Sequence, residues 1–275
     1  MKTILFPTDF SASADNALSY AISLCEALKA KLVLLNSCYV PAFASQVPIE
    51  EFTEEEILSI SDNHLKEYET SGLLKGKHLT VEDRVVFGFA VDSIVSEAEA
   101  SKAYLVIMGM KGASGLTEAL IGSNTDSVIA KAGCPVLAVP DKASFHGLKK
   151  IVFATDYHDS DFAAIKFLAG IAALFDAEII IVHVTDIIQD NAYEKDHFNK
   201  FKEDVKKEVA YENISFDDFE GFNVANTLNS FVKENKIDMI ALSTRNRNII
   251  SKLFDKSLTK KMAYHTHIPL LSIYI

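Results

Sequence analysis

Short runs of consecutive apolar residues alternate, along the first half of this chain, with longer segments in which apolar residues recur every three or four positions. The runs predict buried strands at 2–8, 32–35, 79–87, 104–108 and 136–139. The periodic segments predict helices at 11–28, 53–72, 91–101 and 123–132. Continuous apolar strands that alternate with helices are typical of a parallel sheet covered on both faces. The pattern therefore predicts an open five-stranded α/β domain over residues 1–140.

The same pattern begins again after a short polar segment at 141–148. The letters KIVFATD at 150–156 match KTILFPTD at 2–9, and Asp156 lies 147 positions after Asp9. Strands are predicted at 150–156, 179–184, 214–219, 238–242 and 269–274, with helices at 159–175, 193–211 and 224–235. This internal repeat predicts a second α/β domain over residues 149–275.

The glycine-rich stretch at 109–123, GMKGASGLTEALIGS, follows the fourth predicted strand. Glycine allows the backbone to approach a ligand closely, and the start of the next helix, where we predict Ser123 as the N-cap, offers N–H donors to an anion. In an open parallel sheet, ligands bind beyond the carboxyl ends of the strands, where the winding direction reverses. If the first and fourth strands are neighbours, Asp9 and Gly109 face one crevice. The stretch therefore predicts an anion site, with a simple turn as the alternative.

Composition and charge narrow the classes of function. The chain has 275 residues and a formal net charge of −11, which disfavours binding to nucleic acid or to an anionic membrane. No apolar run reaches the ~18 residues of a membrane-spanning helix, and the first ten residues lack the features of a signal peptide. We therefore expect a cytoplasmic protein without a membrane segment.

Cysteine and histidine do not suggest a disulfide or a metal site. Cys25, Cys38 and Cys134 are odd in number, widely separated and without a CxxC pair. His265 and His267 have no carboxylate or cysteine beside them in sequence, so we assign both a structural role and predict no metal ligands.

The chain contains neither GxxxxGK[ST] nor a GxGxxG after its first strand, so Walker-type hydrolysis has no support. Its pattern Gly109-x2-Gly112-x9-Gly122-Ser123 instead resembles the ATP-binding loop of the universal stress protein family. The KTILFPTDFS opening and the GCP step at 133–135 extend this resemblance over the first half. The second half resembles the same domain with an altered loop.

The resemblance implies two tandem Rossmann-like domains of the adenine nucleotide alpha hydrolase-like type. They would pair within the chain through their last strands as a pseudo-dimer, and a further homodimer of chains stays open. The implied ligand is ATP, with any Mg²⁺ bound through its phosphates. Thr8, Asp9 and Ser37 would lie near the adenosine, although Ser37 replaces the usual apolar residue. The implied nucleotide-binding residues are Thr8, Asp9, Ser37, Met108, Gly109, Gly112, Gly122, Ser123 and Asn124.

The second half departs from the family pattern in its loop. Ser243, Asn246 and Lys256 stand where the three glycines would be, and residues other than glycine block close backbone approach. We therefore predict one ATP per chain, bound in the first half.

The predicted function is an ATP-binding module that reports or modulates a stress response through a protein partner that the sequence does not identify. No catalytic residue is predicted, because no histidine lies in or beside the loop and Asp9 would face the adenosine end. Glu118 would either reach a phosphate-bound metal or face water. A slow ATPase or phosphoryl-transfer enzyme, and a structural scaffold with an empty site, remain open as alternatives.

Overall fold

The computed structural model describes residues 1–39, 53–70, 74–111, 121–185, 191–220, 224–243 and 268–274. It divides into two compact units, Met1–Ser144 and Phe145–Ile275. The predicted limits 1–140 and 149–275 lie within these units. The predicted pairing of the two units through their last strands stays a prediction.

The first unit alternates strands and helices as the apolar pattern predicts. Its strands are β1 (Thr3–Pro7), β2 (Lys31–Cys38), β3 (Thr80–Phe87), β4 (Leu105–Gly109) and β5 (Val136–Val139). Its helices are α1 (Ala12–Leu28), α2 (Glu54–Thr70), α3 (Ala90–Ala100) and α4 (Ser123–Lys131). The strands are all parallel, in the order β3-β2-β1-β4-β5. The predicted α/β fold is therefore confirmed.

The order of the strands fixes where a cleft opens. Strands β2 and β3 lie on one side of β1, and β4 and β5 lie on its other side. Strand β1 is buried along its whole length, with Ile4, Leu5 and Phe6 fully inaccessible, because helices pack against the sheet. The winding thus reverses between β1 and β4, beyond whose carboxyl ends a ligand can enter.

Helix starts in this unit use local signals that the sequence carries. Ser11 caps α1, its hydroxyl accepting a hydrogen bond from the Ala14 amide at 3.3 Å. At the start of α2 the Thr53 amide donates to Glu56 Oε2 at 2.8 Å, and the Glu56 amide donates to Thr53 Oγ1 at 3.2 Å. Thr53 and Glu56, which have the sequence spacing of a capping box, therefore form one.

The start of α4 differs from the prediction. The N-cap is Gly122, and Ser123 is the first helical residue, so the prediction that Ser123 caps this helix is wrong. The cause is a backbone contact: the Gly122 amide donates to the Met110 carbonyl at 2.7 Å, and the Gly122 carbonyl accepts from the Asp126 amide at 3.0 Å. Helix α4 consequently begins without a side-chain cap.

The second unit repeats this architecture. Its strands are β6 (Lys150–Ala154), β7 (Glu178–Thr185), β8 (Ile214–Glu220), β9 (Met239–Ser243) and β10 (Leu270–Ile273), and its described helices are α5 (Ser160–Ala172), α6 (Asn191–Glu208) and α7 (Val224–Asn235). They form a parallel sheet in the order β10-β9-β6-β7-β8. The described part of the chain contains no helix with the length and apolar character that crossing a membrane requires.

Candidate functional site

A cleft in the first unit lies at the carboxyl ends of β1 and β4. Its empty space of about 690 Å³ includes the part that is open to solvent. Eight of the nine predicted nucleotide-binding residues line it: Thr8, Asp9, Ser37, Met108, Gly109, Gly122, Ser123 and Asn124. The ninth, Gly112, lies outside the described residues, as does Glu118.

The end of β1 is held by a compact set of hydrogen bonds around Thr8. Its amide donates to the Leu35 carbonyl at 2.8 Å, and its carbonyl accepts from Asn36 Nδ2 at 2.7 Å. Its hydroxyl accepts from the Phe10 amide at 3.0 Å, which supports the left-handed backbone of Phe10 at φ 58°. Asp9 lies between these two residues, is exposed, and accepts from the Ser11 amide at 3.1 Å. The turn thus fixes Asp9 at the mouth of the cleft.

Helix α2 is tied to the same turn through Tyr68. The Tyr68 hydroxyl donates to Asp15 Oδ1 and lies 3.3 Å from Thr8 Oγ1. Because its proton goes to Asp15, the Thr8 hydroxyl is the donor in the second contact. Burial is the main cause of the raised pKa of Tyr68, and the bond to Asp15 adds to it. Tyr68 therefore stays protonated and links α2 to the floor of the cleft.

Gly109, the last residue of β4, lies against the start of α1. A Cβ at this position would lie 2.7 Å from Ser13 Oγ and 3.0 Å from both the carbonyl carbon and the oxygen of Ser13. Only glycine fits there without displacing the helix backbone. The Gly109 carbonyl also accepts from the buried Thr125 hydroxyl at 2.9 Å, which ties α4 to β4. This glycine therefore has a packing role in addition to the ligand contact predicted for it.

The start of α4 forms the opposite wall of the cleft, which it lines with Gly122, Ser123 and Asn124. The first-turn amides of a helix cannot bond within the helix, and here no side chain caps them. The partial positive charge of a helix N-terminus favours an anion. The wall can therefore accept a phosphate or carboxylate group.

Further lining residues were not among those predicted. Ala14 comes from the start of α1, Ala90 and Ile94 come from α3, and Lys111 follows β4. Lys111 Nζ lies 3.5 Å from Asp141 Oδ2, and Asp141 Oδ1 accepts from the Ser13 hydroxyl at 2.7 Å. The signal available in the sequence for Lys111 was its place between two glycines of the loop. The alanines and Ile94 carry no comparable signal.

The second unit repeats the turn that ends the first strand. The Tyr157 amide donates to Thr155 Oγ1 at 2.9 Å, and His183 Nδ1 lies 2.9 Å from the Thr155 carbonyl, to which it donates. Tyr157 has the left-handed backbone of its counterpart, at φ 62°. Asp156 is exposed beside it. The backbone geometry of the first unit is therefore retained here.

Of the three residues that replace the loop glycines, only Ser243 lies in the described part of the chain; it is buried at the end of β9. Asn246 and Lys256, like His265 and His267, lie outside it. Within the described ranges, no group of three or more histidine, cysteine or acidic side chains is placed to hold a metal ion.

Two parallel-sheet units, one with a lined cleft where the winding reverses, define a Rossmann-like α/β protein. The model of the universal stress protein family matches residues 1–140 and 147–273. The chain therefore belongs to the universal stress protein family, as its sequence motifs predicted.

Individual relatives agree with this assignment. Universal stress protein MJ0577 of Methanocaldococcus jannaschii is 33% identical over 164 residues, which cover 52% of this chain and 97% of the relative. Universal stress protein MJ0531 of the same organism is 32% identical over 144 residues, covering 50% of this chain and 81% of the relative. A solved universal stress protein from Archaeoglobus fulgidus has a similar fold, with a TM-score of 0.72 and 16% identity, covering 99% of this chain and 96% of that one.

Proposed function

We propose that this protein is a cytoplasmic, ATP-binding module of a stress response that binds one nucleotide in the cleft of its first unit. The adenosine would lie beside Thr8, Asp9 and Ser37, and the phosphates would lie along the loop that joins β4 to α4. A protein partner would read the occupied state.

The observation that carries the proposal is the convergence of the predicted residues on one cleft. The residues come from β1, β2, β4 and the start of α4, which are far apart in sequence, and they meet where the sheet reverses its winding. The first turn of α4, whose amides have no side-chain cap, lies on one wall of the cleft, and the Asp9 carboxylate and the Thr8 hydroxyl lie on the other. The helix start would then meet the phosphates, and the carboxylate and the hydroxyl would meet the ribose and the base at the other end of the nucleotide.

Local charge supports an anionic ligand in spite of the net charge of −11. Lys111 lines the cleft and is the cationic side chain among its described lining residues. It is half-buried and lies near Asp141, which holds it beside the loop. A phosphate would therefore meet both a helix start and a lysine.

Calorimetry on nucleotide-free protein tests the proposal. We expect ATP to bind with a stoichiometry of one per chain, and denaturation of freshly purified protein to release adenine nucleotide. No heat at millimolar ATP and no released nucleotide would overturn it. A stoichiometry of two would contradict the assignment of ATP to the first unit. A turnover assay on the same samples separates a binding module from a slow ATPase.

We expect Lys111→Met to weaken ATP binding by about tenfold and AMP binding by about threefold, because a lysine beside the loop interacts more with the longer phosphate chain. Titration calorimetry with both nucleotides measures the two effects. Lys131→Met is the matched control, since Lys131 is an exposed residue of α4 outside the cleft. An equal loss for ATP and AMP in Lys111→Met would contradict the predicted contact with the phosphates.

A further inference from the structure

The two units differ at a buried position near the start of the helix that follows their first strand. Ala14 in the first unit is matched by Asp161 in the second, at the constant shift of 147 positions. The shift holds at the other end of the helix as well, where Lys29 and Asp176 have the same left-handed backbone at φ 51° and 53°. No insertion therefore separates the two positions, and the comparison is residue for residue.

Asp161 is fully buried, with no exposed surface. Its Oδ2 accepts from the Thr155 hydroxyl at 2.6 Å, whereas its Oδ1 has no hydrogen-bond partner among the described residues. In the first unit the corresponding threonine, Thr8, bonds to Tyr68 of α2 instead. The second unit thus has a helix carboxylate beside the threonine that follows its first strand.

The matching position in the first unit lies where the phosphates would bind. Ala14 lines the cleft. It follows Ser13, whose carbonyl carbon would lie 3.0 Å from a Cβ on Gly109. A phosphate that approaches the loop at Gly109 therefore passes next to residue 14. An alanine there adds no charge, whereas a carboxylate would repel the ligand.

The charge of Asp161 near neutral pH follows from its surroundings. Its pKa is raised to about 6, mainly by burial and also by the neighbouring Asp156 charge, while the Thr155 hydroxyl, the Asp156 amide and His158 act in the opposite direction. A pKa of about 6 leaves most of the carboxyl population ionised at pH 7. Repulsion between two anions is strong where water is excluded, because the effective dielectric constant is low.

We propose that Asp161 determines the specificity of the second unit by excluding polyphosphate nucleotides, and that a carboxylate at this position is sufficient for the exclusion. The inference rests on the proposed function of the first unit and deepens it. It gives the second unit an electrostatic barrier to ATP that is independent of the glycines missing from its loop.

Transfer of the carboxylate to the first unit tests sufficiency. We expect Ala14→Asp in the full chain to weaken ATP binding more than about tenfold at neutral pH, while adenosine binding changes less than about threefold, because only the phosphates are repelled. Ala14→Asn, equal in size to aspartate and neutral, is the matched control, and its losses for ATP and for adenosine should be equal, because it changes the size of the side chain without adding charge. Titration calorimetry gives the affinities, and thermal melting shows that each variant is folded. Ala14→Glu with Ala14→Gln repeats the comparison if Ala14→Asp does not fold.

The outcomes separate this inference from the proposed function. Equal losses in the charged and neutral variants, or equal losses of ATP and adenosine in Ala14→Asp, would overturn the inference while wild-type binding stands. Retention of full ATP affinity in Ala14→Asp would do the same. A wild-type chain that binds no nucleotide would overturn the proposed function and this inference together.

Discussion

Gly109→Ala is expected to lower the free energy of unfolding by about 2 kcal/mol, the usual cost of overpacking a close contact. The added Cβ would lie 3.0 Å from backbone atoms of Ser13, which cannot rotate away as a side-chain terminus can. Either α1 or the end of β4 must move, and both carry walls of the cleft. We therefore also expect ATP affinity to fall by about tenfold.

Urea titration and calorimetry measure these two effects. Gly133→Ala is the matched control, because a Cβ at Gly133 would meet nothing within 4 Å in the same unit. Adding Ser13→Ala to Gly109→Ala removes the 2.7 Å contact with the Ser13 hydroxyl, but it leaves the backbone contacts and also removes the hydrogen bond to Asp141, so it should restore at most part of the stability. A Gly109→Ala protein as stable as the control would show that the packing role assigned to this glycine is wrong.

Asp161→Asn is expected to stabilise the protein at neutral pH by about 2 kcal/mol. Raising the pKa of a carboxyl from its ordinary value of 3.8 to about 6 corresponds to a cost of about 3 kcal/mol when it is ionised. The asparagine oxygen can still accept from Thr155, but its amide group lacks a partner, so part of the gain is lost.

The sign of the pH dependence follows from the direction of this shift. Between about pH 4 and pH 6 the folded state binds more protons than the unfolded state, so the contribution of Asp161 makes stability fall as pH rises. Above about pH 6 the whole cost is present. Asp161→Asn should therefore gain stability at neutral pH, gain little near pH 4, and flatten the profile between them.

Denaturant titrations at several pH values measure this profile. Asp159→Asn is the matched control, since Asp159 is exposed at the same helix start and makes no capping bond. A profile that changes to the same extent in both variants would show that the effect does not belong to position 161. If Asp161→Asn had the same pH profile of stability as the wild type, the raised pKa of Asp161 would be contradicted.

Local signals explain which parts of the fold could be predicted from the sequence. The strand predicted at 136–139 is found as Val136–Val139. It depends on residues close in sequence, as does the Thr53–Glu56 capping box at the start of the helix predicted at 53–72. The cap of α4 could not be predicted in the same way. It depends on a hydrogen bond from Gly122 to Met110, and no pattern of residue types at 122–123 specifies that contact.

The site shows the same division. The glycines and the carboxylate at the end of β1 stand at the spacing of a family motif, so they could be selected in advance. Ala14 and Ile94 gain a role only because the sheet order brings α1 and α3 to one cleft. Asp161 looks like an ordinary acidic residue in the first turn of a helix, and only its complete burial distinguishes it.

The uncapped start of α4 gives a partner protein a means of detecting whether the cleft holds a nucleotide. The chain leaves the first-turn amides at Ser123 and its neighbours without a side-chain acceptor, so under the proposed function the phosphate completes the helix. Completion by a ligand couples two equilibria: binding of the nucleotide, and the local opening of the β4–α4 region. The bound state would then be marked by slower local opening of α4, a property that a partner can sense without any displacement of the sheet.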